Sequence, residues 1–154
     1  MSRLTQADKL GYLKLCPLFQ GLSNRQLGQV AGKTFQETIA PGKAIVKQGS
    51  MGQGFFVVMD GVVRFEKNGK LLATRSQGAY FGEISLLDGR PRTASVIADT
   101  EVQLLCVTKA AFRELLDGVP GMKDKIILSL CRYLRMAEES LSGSRKPPFE
   151  GMDG

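Results

Sequence analysis

Seven short runs of strand-forming residues, separated by turns that contain glycine, occupy residues 35–107 and constrain the fold more than any other feature. Strands this short favour antiparallel pairing, because parallel strands need long crossover connections. Asn68-Gly69 is typical of a two-residue type I′ hairpin turn. The predicted strands are Glu37–Ala40, Ala44–Lys47, Phe55–Met59, Val62–Glu66, Lys70–Arg75, Ser95–Ala98 and Glu101–Val107. The pattern predicts an antiparallel sandwich or jelly roll.

Helical patterns lie on both sides of this β region. Ser23 and Thr108 are favourable N-caps, and Pro17 ends the first helical pattern. The predicted helical segments cover residues 4–16, 23–31, 108–116 and 120–141. The last of these helices carries an apolar stripe of Ile126, Leu130, Leu134, Ala137 and Leu141. The fold class predicted is therefore mainly β with flanking helices.

Composition excludes several classes of function. The chain has no histidine, so it can form neither a Ser-His-Asp or Cys-His nucleophile nor a histidine metal site. Its acidic residues show no evident catalytic pair, and we expect no enzyme, no catalytic residue and no metal. The three cysteines (Cys16, Cys106 and Cys131) stand among apolar neighbours and are expected to be reduced thiols in the core.

The ends of the chain and its charge suggest a small cytoplasmic module. No apolar run approaches twenty residues and the N-terminus lacks a secretory signal, so no membrane insertion is expected. The formal net charge of +6 is spread along the chain instead of being concentrated on one element, which indicates a solvated basic surface and not a nucleic-acid binder. The alternative is that this general positive potential helps to attract an anionic ligand. Residues 143–154 are predicted to be a disordered tail, too short for a DNA-binding or other effector domain.

Residues 81–96 contain the parts needed to bind a cyclic phosphate and its ribose. Gly82 allows close approach of the backbone to a ligand, and Glu83 can accept hydrogen bonds from sugar hydroxyls. Residues 84–88 can form one helical turn whose free N–H groups face an anion. Arg92 can donate two hydrogen bonds to phosphate oxygens. This segment therefore predicts a site for a small anionic sugar phosphate.

The same segment, Phe-Gly-Glu-Ile-Ser-Leu-Leu-Asp-Gly-Arg-Pro-Arg-Thr-Ala-Ser-Val, resembles the phosphate-binding cassette of the cyclic nucleotide-binding domain family. That family includes sensor domains of catabolite activator proteins, protein kinase A regulatory subunits and cyclic nucleotide-gated channels. The resemblance implies an antiparallel double-stranded β-helix, or jelly-roll barrel. It places an N-terminal helical segment at 1–34, the roll at 35–107 with the cassette at 81–96, and C-terminal helices at 108–142.

The resemblance also implies a ligand, cAMP or cGMP, and no cofactor. Arg92 would bind the phosphate and Glu83 the ribose 2′-hydroxyl, while backbone N–H groups of the cassette would face ribose or phosphate. Ser85 could equally be a helix N-cap. Thr93 could bridge phosphate and a guanine amino group, yet cAMP sensors also carry Thr or Ser there. The ligand-binding residues implied are Gly82, Glu83, Ile84, Ser85, Arg92, Thr93, Ala94, Tyr133, Arg132 and Arg135.

In the family the last helix is a lid over the base, so Tyr133, Arg132 or Arg135 is expected to stack on the purine. Its apolar stripe could instead pack on the barrel or on a second copy in a homodimer. The function predicted is a stand-alone sensor that relays nucleotide binding through this helix to a separate, unidentified effector protein. The alternative is a jelly-roll interaction module, or a regulatory fragment of a channel, kinase or transcription factor, with a different or lost ligand.

Overall fold

The computed structural model describes residues 5–51 and 54–142, which form two antiparallel sheets and helices that precede, interrupt and follow them. The helices are α1 (Gln6–Leu13), α2 (Asn24–Ala31), α3 (Ser85–Asp88), α4 (Lys109–Gly118) and α5 (Met122–Ser142), with a 3-10 turn at Pro17–Phe19. The strands are β1 (Phe35–Ile39), β2 (Ala44–Val46), β3 (Gly54–Asp60), β4 (Val63–Lys67), β5 (Lys70–Arg75), β6 (Tyr80–Phe81), β7 (Ser95–Ala98) and β8 (Val102–Thr108). The predicted tail at 143–154 lies outside the described residues.

The two sheets have the strand orders β1-β8-β3-β6 and β2-β7-β4-β5. Strands distant in sequence are thus neighbours, as in a jelly roll, and the predicted fold class is confirmed. Among the described strands the two sheets are paired separately, without closing into one continuous barrel. Asn68 and Gly69 have φ angles of 52° and 78°, which fits the predicted type I′ turn between β4 and β5.

The two central strands of the first sheet, β3 and β8, are buried on both faces. Side chains on one face of β3 and β8, such as Val58 and Leu104, pack against the second sheet, and those on the other face, such as Val57 and Leu105, pack against the helices. Both strands therefore read as continuous apolar runs instead of alternating ones. This double burial fixes the first sheet between the second sheet and the terminal helices, and β6 leads from it into the candidate site.

The apolar stripe predicted on α5 is partly wrong. Ile126 is buried as expected, but Leu134 is 65% exposed and Leu141 is 85% exposed. The stripe stepped mostly by four residues, which drifts around a helix of 3.6 residues per turn. The side of α5 that faces the protein instead carries Met122, Ile126, Ser129, Tyr133 and Ser140.

The prediction of three core thiols is also wrong for one cysteine. Cys16 and Cys106 are buried, whereas Cys131 is exposed on α5, and all three are free. Cys131 precedes the buried Tyr133 by two positions and is thereby turned toward solvent, since residues two apart do not share a helix face.

Candidate functional site

The site begins at Gly82, which joins β6 to α3. Its φ of 90° belongs to the region that favours glycine. A Cβ at this position would overlap the carbonyl oxygen of Gly54 and would lie 3.0 Å from Nη1 of Arg92. Because glycine has no side chain, the start of β3, the cassette backbone and the Arg92 guanidinium can pack closely around this position.

Arg92 is a buried cation at the centre of this place. Arg92 is only 4% exposed. Its Nη2 donates a hydrogen bond to the carbonyl oxygen of Gly54 at 3.1 Å. Burial lowers the pKa of the guanidinium, and the Glu83 carboxylate opposes that shift. Among the described residues, Arg92 Nε has no hydrogen-bond partner. A buried N–H group without a partner is costly, and an anionic oxygen would satisfy it.

Glu83 is the second buried charge, only 1% exposed. One carboxylate oxygen, Oε2, accepts a hydrogen bond from the Tyr133 hydroxyl at 2.9 Å. Because Tyr133 belongs to α5 and Glu83 to the cassette, this bond connects the last helix directly to the site. One oxygen of the carboxylate expected to bind a sugar hydroxyl thus accepts here from a hydroxyl of the protein.

Tyr133 belongs to a polar cluster, defined here as Cys16, Tyr80, Glu83 and Tyr133, in which Tyr80 is half-buried and the other three are buried. The pKa of the Tyr133 hydroxyl is raised by burial first, and then by Glu83, by Cys16 and by a hydrogen bond with Tyr80. Burial also raises the pKa of the Cys16 thiol, with a further contribution from the Glu83 carboxylate. The neutral forms of both groups are therefore favoured, so Tyr133 keeps the proton that it donates to Glu83.

Four other predicted residues lie along the cassette. Ile84 is half-buried and caps the N-terminus of α3, and Ser85 is the first residue of that helix, though its side chain lies outside the description. Ala94 is fully buried and Thr93 is exposed. The helical turn predicted within residues 84–88 is present as α3, and the contacts of these residues with a ligand stay predictions.

The lid candidates fall in different surroundings. Tyr133 is brought to Glu83, as described above. Arg132 donates to Oγ of Ser129 at 3.4 Å, and its Nη2 lies 2.6 Å from where a Cβ of Gly21 would be. Arg135 is exposed. The structure thus brings one of the three lid candidates to the buried carboxylate, and the proposed stacking of any of them on a base stays a prediction.

Two residues of the site were missed by sequence reasoning. Gly54 supplies the carbonyl that holds Arg92, and Tyr80 hydrogen bonds with Tyr133. The available signals were a glycine at the first position of an apolar strand and an aromatic residue directly before Phe81. Neither signal shows a long-range partner, so the sequence alone could not connect them to the site.

The described residues offer little sign of other chemistry. Within 5–51 and 54–142, no group of three or more Cys, Asp or Glu side chains is arranged to hold a metal ion. The helices of that same part of the chain are too short or too polar to cross a membrane. Glu83 and Arg92 are the two buried charged residues of the described part of the chain.

The chain is similar to known proteins. The cyclic nucleotide-binding domain family matches residues 36–118, which is more than half of the chain. The chain is 33% identical over 111 residues to the cAMP-dependent protein kinase regulatory subunit of Yarrowia lipolytica, with 71% of this chain and 30% of that protein covered. It is 35% identical over 112 residues to a cGMP-dependent protein kinase of Toxoplasma gondii, with 72% and 11% covered.

A solved structure is similar as well. The N-terminal domain of a transcriptional regulator from Streptomyces coelicolor superposes with a TM-score of 0.73 at 29% identity, covering 80% of this chain and 92% of that domain. The chain spans less than a third of the length of the two curated relatives named above. The similarity therefore concerns one domain of those longer proteins.

Proposed function

Because the chain belongs to the cyclic nucleotide-binding domain family, we propose that it is a sensor that binds cAMP or cGMP and relays binding through α5 to a separate partner. The observation that carries the proposal is the buried guanidinium of Arg92, with an unused Nε donor, beside the buried carboxylate of Glu83. The pair offers donors to one end of the ligand and an acceptor to the other. The ligand is bound without being consumed.

The phosphate is assigned to Arg92. A cyclic phosphodiester carries one negative charge, which one guanidinium neutralises. Burying the phosphate would be costly without such an opposite charge beside it. Nη2 is held by the Gly54 carbonyl, so the planar guanidinium is already oriented before the ligand arrives. The Nε donor is then available to a phosphate oxygen. Backbone N–H groups at the start of α3 would add to this anion site.

The ribose is assigned to Glu83, and this assignment supplies the relay. The ribose 2′-hydroxyl and the Tyr133 hydroxyl would both donate to the same carboxylate. Because a carboxylate accepts at both of its oxygens, the two hydroxyls would share its charge, and we infer that ligand binding weakens or breaks the bond between Glu83 and α5. When α5 loses its hydrogen bond to Glu83, the equilibrium between its docked and undocked positions shifts. This shift is how a bound nucleotide would change the contact of α5 with a partner protein.

The Tyr133→Phe variant is expected to bind cyclic nucleotide about tenfold more tightly than the native chain. A hydrogen bond to a charged group contributes about 1.5–3 kcal/mol, and in the proposed relay the ribose hydroxyl competes with this bond for the charge of the Glu83 carboxylate. Calorimetric titration measures the change in affinity. Tyr12→Phe is the matched control, because the Tyr12 hydroxyl is bonded to Gln77 and not to the cassette. Unchanged or weaker binding by Tyr133→Phe would contradict the competition.

The proposed function itself is tested by calorimetric titration of the whole chain with cAMP and with cGMP. We expect saturable binding of at least one of them, and recovery of the unchanged nucleotide by chromatography after incubation. Lack of binding at millimolar concentration would overturn the proposal. Conversion of the nucleotide to its linear monophosphate would show an enzyme instead of a sensor.

A further inference from the structure

Tyr80 belongs to the polar cluster, yet the proposed function assigns it no role. It lies in β6, directly before the cassette, and pairs with Val57 of β3, which is fully buried. The turn before Tyr80 is anchored to the same strand, because Val58 accepts from the Gly78 N–H and donates to the Ala79 carbonyl, each at 2.8 Å. The backbone of Tyr80 is therefore held by the buried strand β3 and not by α5.

The proton count at the Tyr133 hydroxyl sets the direction of its bond with Tyr80. A phenol hydroxyl has one proton to donate. The Tyr133 hydroxyl donates to Oε2 of Glu83 at 2.9 Å. Tyr80 hydrogen bonds with the same hydroxyl, so Tyr80 must be the donor and the Tyr133 oxygen the acceptor. The result is a chain of hydrogen bonds that runs from Tyr80 through Tyr133 to Glu83.

We propose that Tyr80 is a positioning residue that strengthens the bond between α5 and Glu83 and thereby lowers the affinity for nucleotide. The proposal rests on the proposed function, in which Tyr133 competes with the ribose for the charge of Glu83. A hydroxyl that accepts a hydrogen bond becomes a stronger donor, because the bonds of a chain polarise one another. The bond from Tyr80 also restricts where the Tyr133 oxygen can lie, since its geometry is directional.

A direct contact between Tyr80 and the ligand is the competing explanation. Tyr80 also lines a cavity of about 420 Å³, together with Phe65 and Gln77. The two explanations predict opposite signs. Removing a hydroxyl that contacts the ligand weakens binding, whereas removing a hydroxyl that holds Tyr133 on Glu83 makes binding tighter.

Calorimetric titration of Tyr80→Phe, Tyr133→Phe and the double variant with the same cyclic nucleotide distinguishes these explanations. Phenylalanine keeps the ring and removes only the hydroxyl. We expect Tyr80→Phe to bind about threefold more tightly than the native chain, within the range of one neutral hydrogen bond. In the Tyr133→Phe background the same change should alter affinity by less than about 1.5-fold, because the acceptor is gone. Unchanged or weaker binding by Tyr80→Phe, or an equal gain in both backgrounds, would overturn the inference.

Hydrogen exchange of the α5 amides in the nucleotide-free chain tests the same contact without a ligand. Tyr80→Phe and Tyr133→Phe should both speed exchange near residue 133, since each weakens the hold on α5. Tyr12→Phe is the matched control and should leave this exchange unchanged, because the Tyr12 hydroxyl accepts from Gln77. Unchanged exchange in Tyr80→Phe would overturn the role of Tyr80, even in a chain that binds nucleotide. Faster exchange in a chain that binds neither cAMP nor cGMP would support the hold of Tyr80 on α5 while overturning the proposed function.

Discussion

Replacing Arg92 with glutamine is expected to weaken binding of cyclic nucleotide by about a hundredfold or more. Charge-assisted hydrogen bonds contribute about 1.5–3 kcal/mol each, and loss of two such bonds exceeds the 2.7 kcal/mol that corresponds to a factor of about one hundred. Glutamine keeps a donor for the Gly54 carbonyl but removes the charge. Calorimetric titration of native and variant chains with the same nucleotide measures the loss.

The control for this variant is Arg90→Gln. Arg90 lies two residues earlier in the same segment and is exposed, so it tests whether positive charge near the cassette is sufficient. We expect its affinity to stay within about threefold of native, because exposed ionic contacts contribute little. A similar loss in both variants, or a loss of less than threefold in Arg92→Gln, would contradict the assignment of the phosphate to Arg92.

The second large effect is expected from Gly82→Ala, which should destabilise the fold by at least about 2 kcal/mol and remove nucleotide binding. The added Cβ would overlap the Gly54 carbonyl and press on Arg92 Nη1, while the backbone stays at a φ of 90°. Because β3 and the cassette must both keep their places, neither neighbour can move aside easily. Denaturant unfolding gives the change in stability, and titration gives the change in binding.

Gly42→Ala separates backbone strain from collision. Gly42 has a φ of 84°, yet nothing lies within 4 Å of an added Cβ. Both variants carry the strain of a left-handed backbone, and only Gly82→Ala carries the overlap. We expect Gly42→Ala to bind nucleotide normally and to lose less stability. Equal losses in the two variants would show that the close approach at Gly82 is unimportant.

The cassette could be predicted from sequence because its determinants are local. A glycine that must reach a positive φ, one helical turn and an arginine a few residues later stand within sixteen positions. The type I′ turn at Asn68-Gly69 was predictable for the same reason. Short strands bounded by turn residues likewise gave the fold class.

Contacts between distant segments could not be predicted in this way. The bond between Tyr133 and Glu83 joins residues fifty positions apart, and the carbonyl that holds Arg92 belongs to Gly54. The prediction for α5 was partly wrong for a related reason. The sequence shows an apolar period along the helix, but it does not show which face of the helix packs against the rest of the protein. Strand β6 was missed because two residues, Tyr80 and Phe81, show no period.

The most direct test of the sensor is a crystal structure of the chain with bound cyclic nucleotide. The account predicts a phosphate oxygen on the Arg92 guanidinium, the ribose 2′-hydroxyl on Glu83, and a Tyr133 hydroxyl that has left Glu83. A nucleotide bound elsewhere, or bound here without a ribose contact to Glu83, or with the Tyr133 hydroxyl still donating to Glu83, would contradict it.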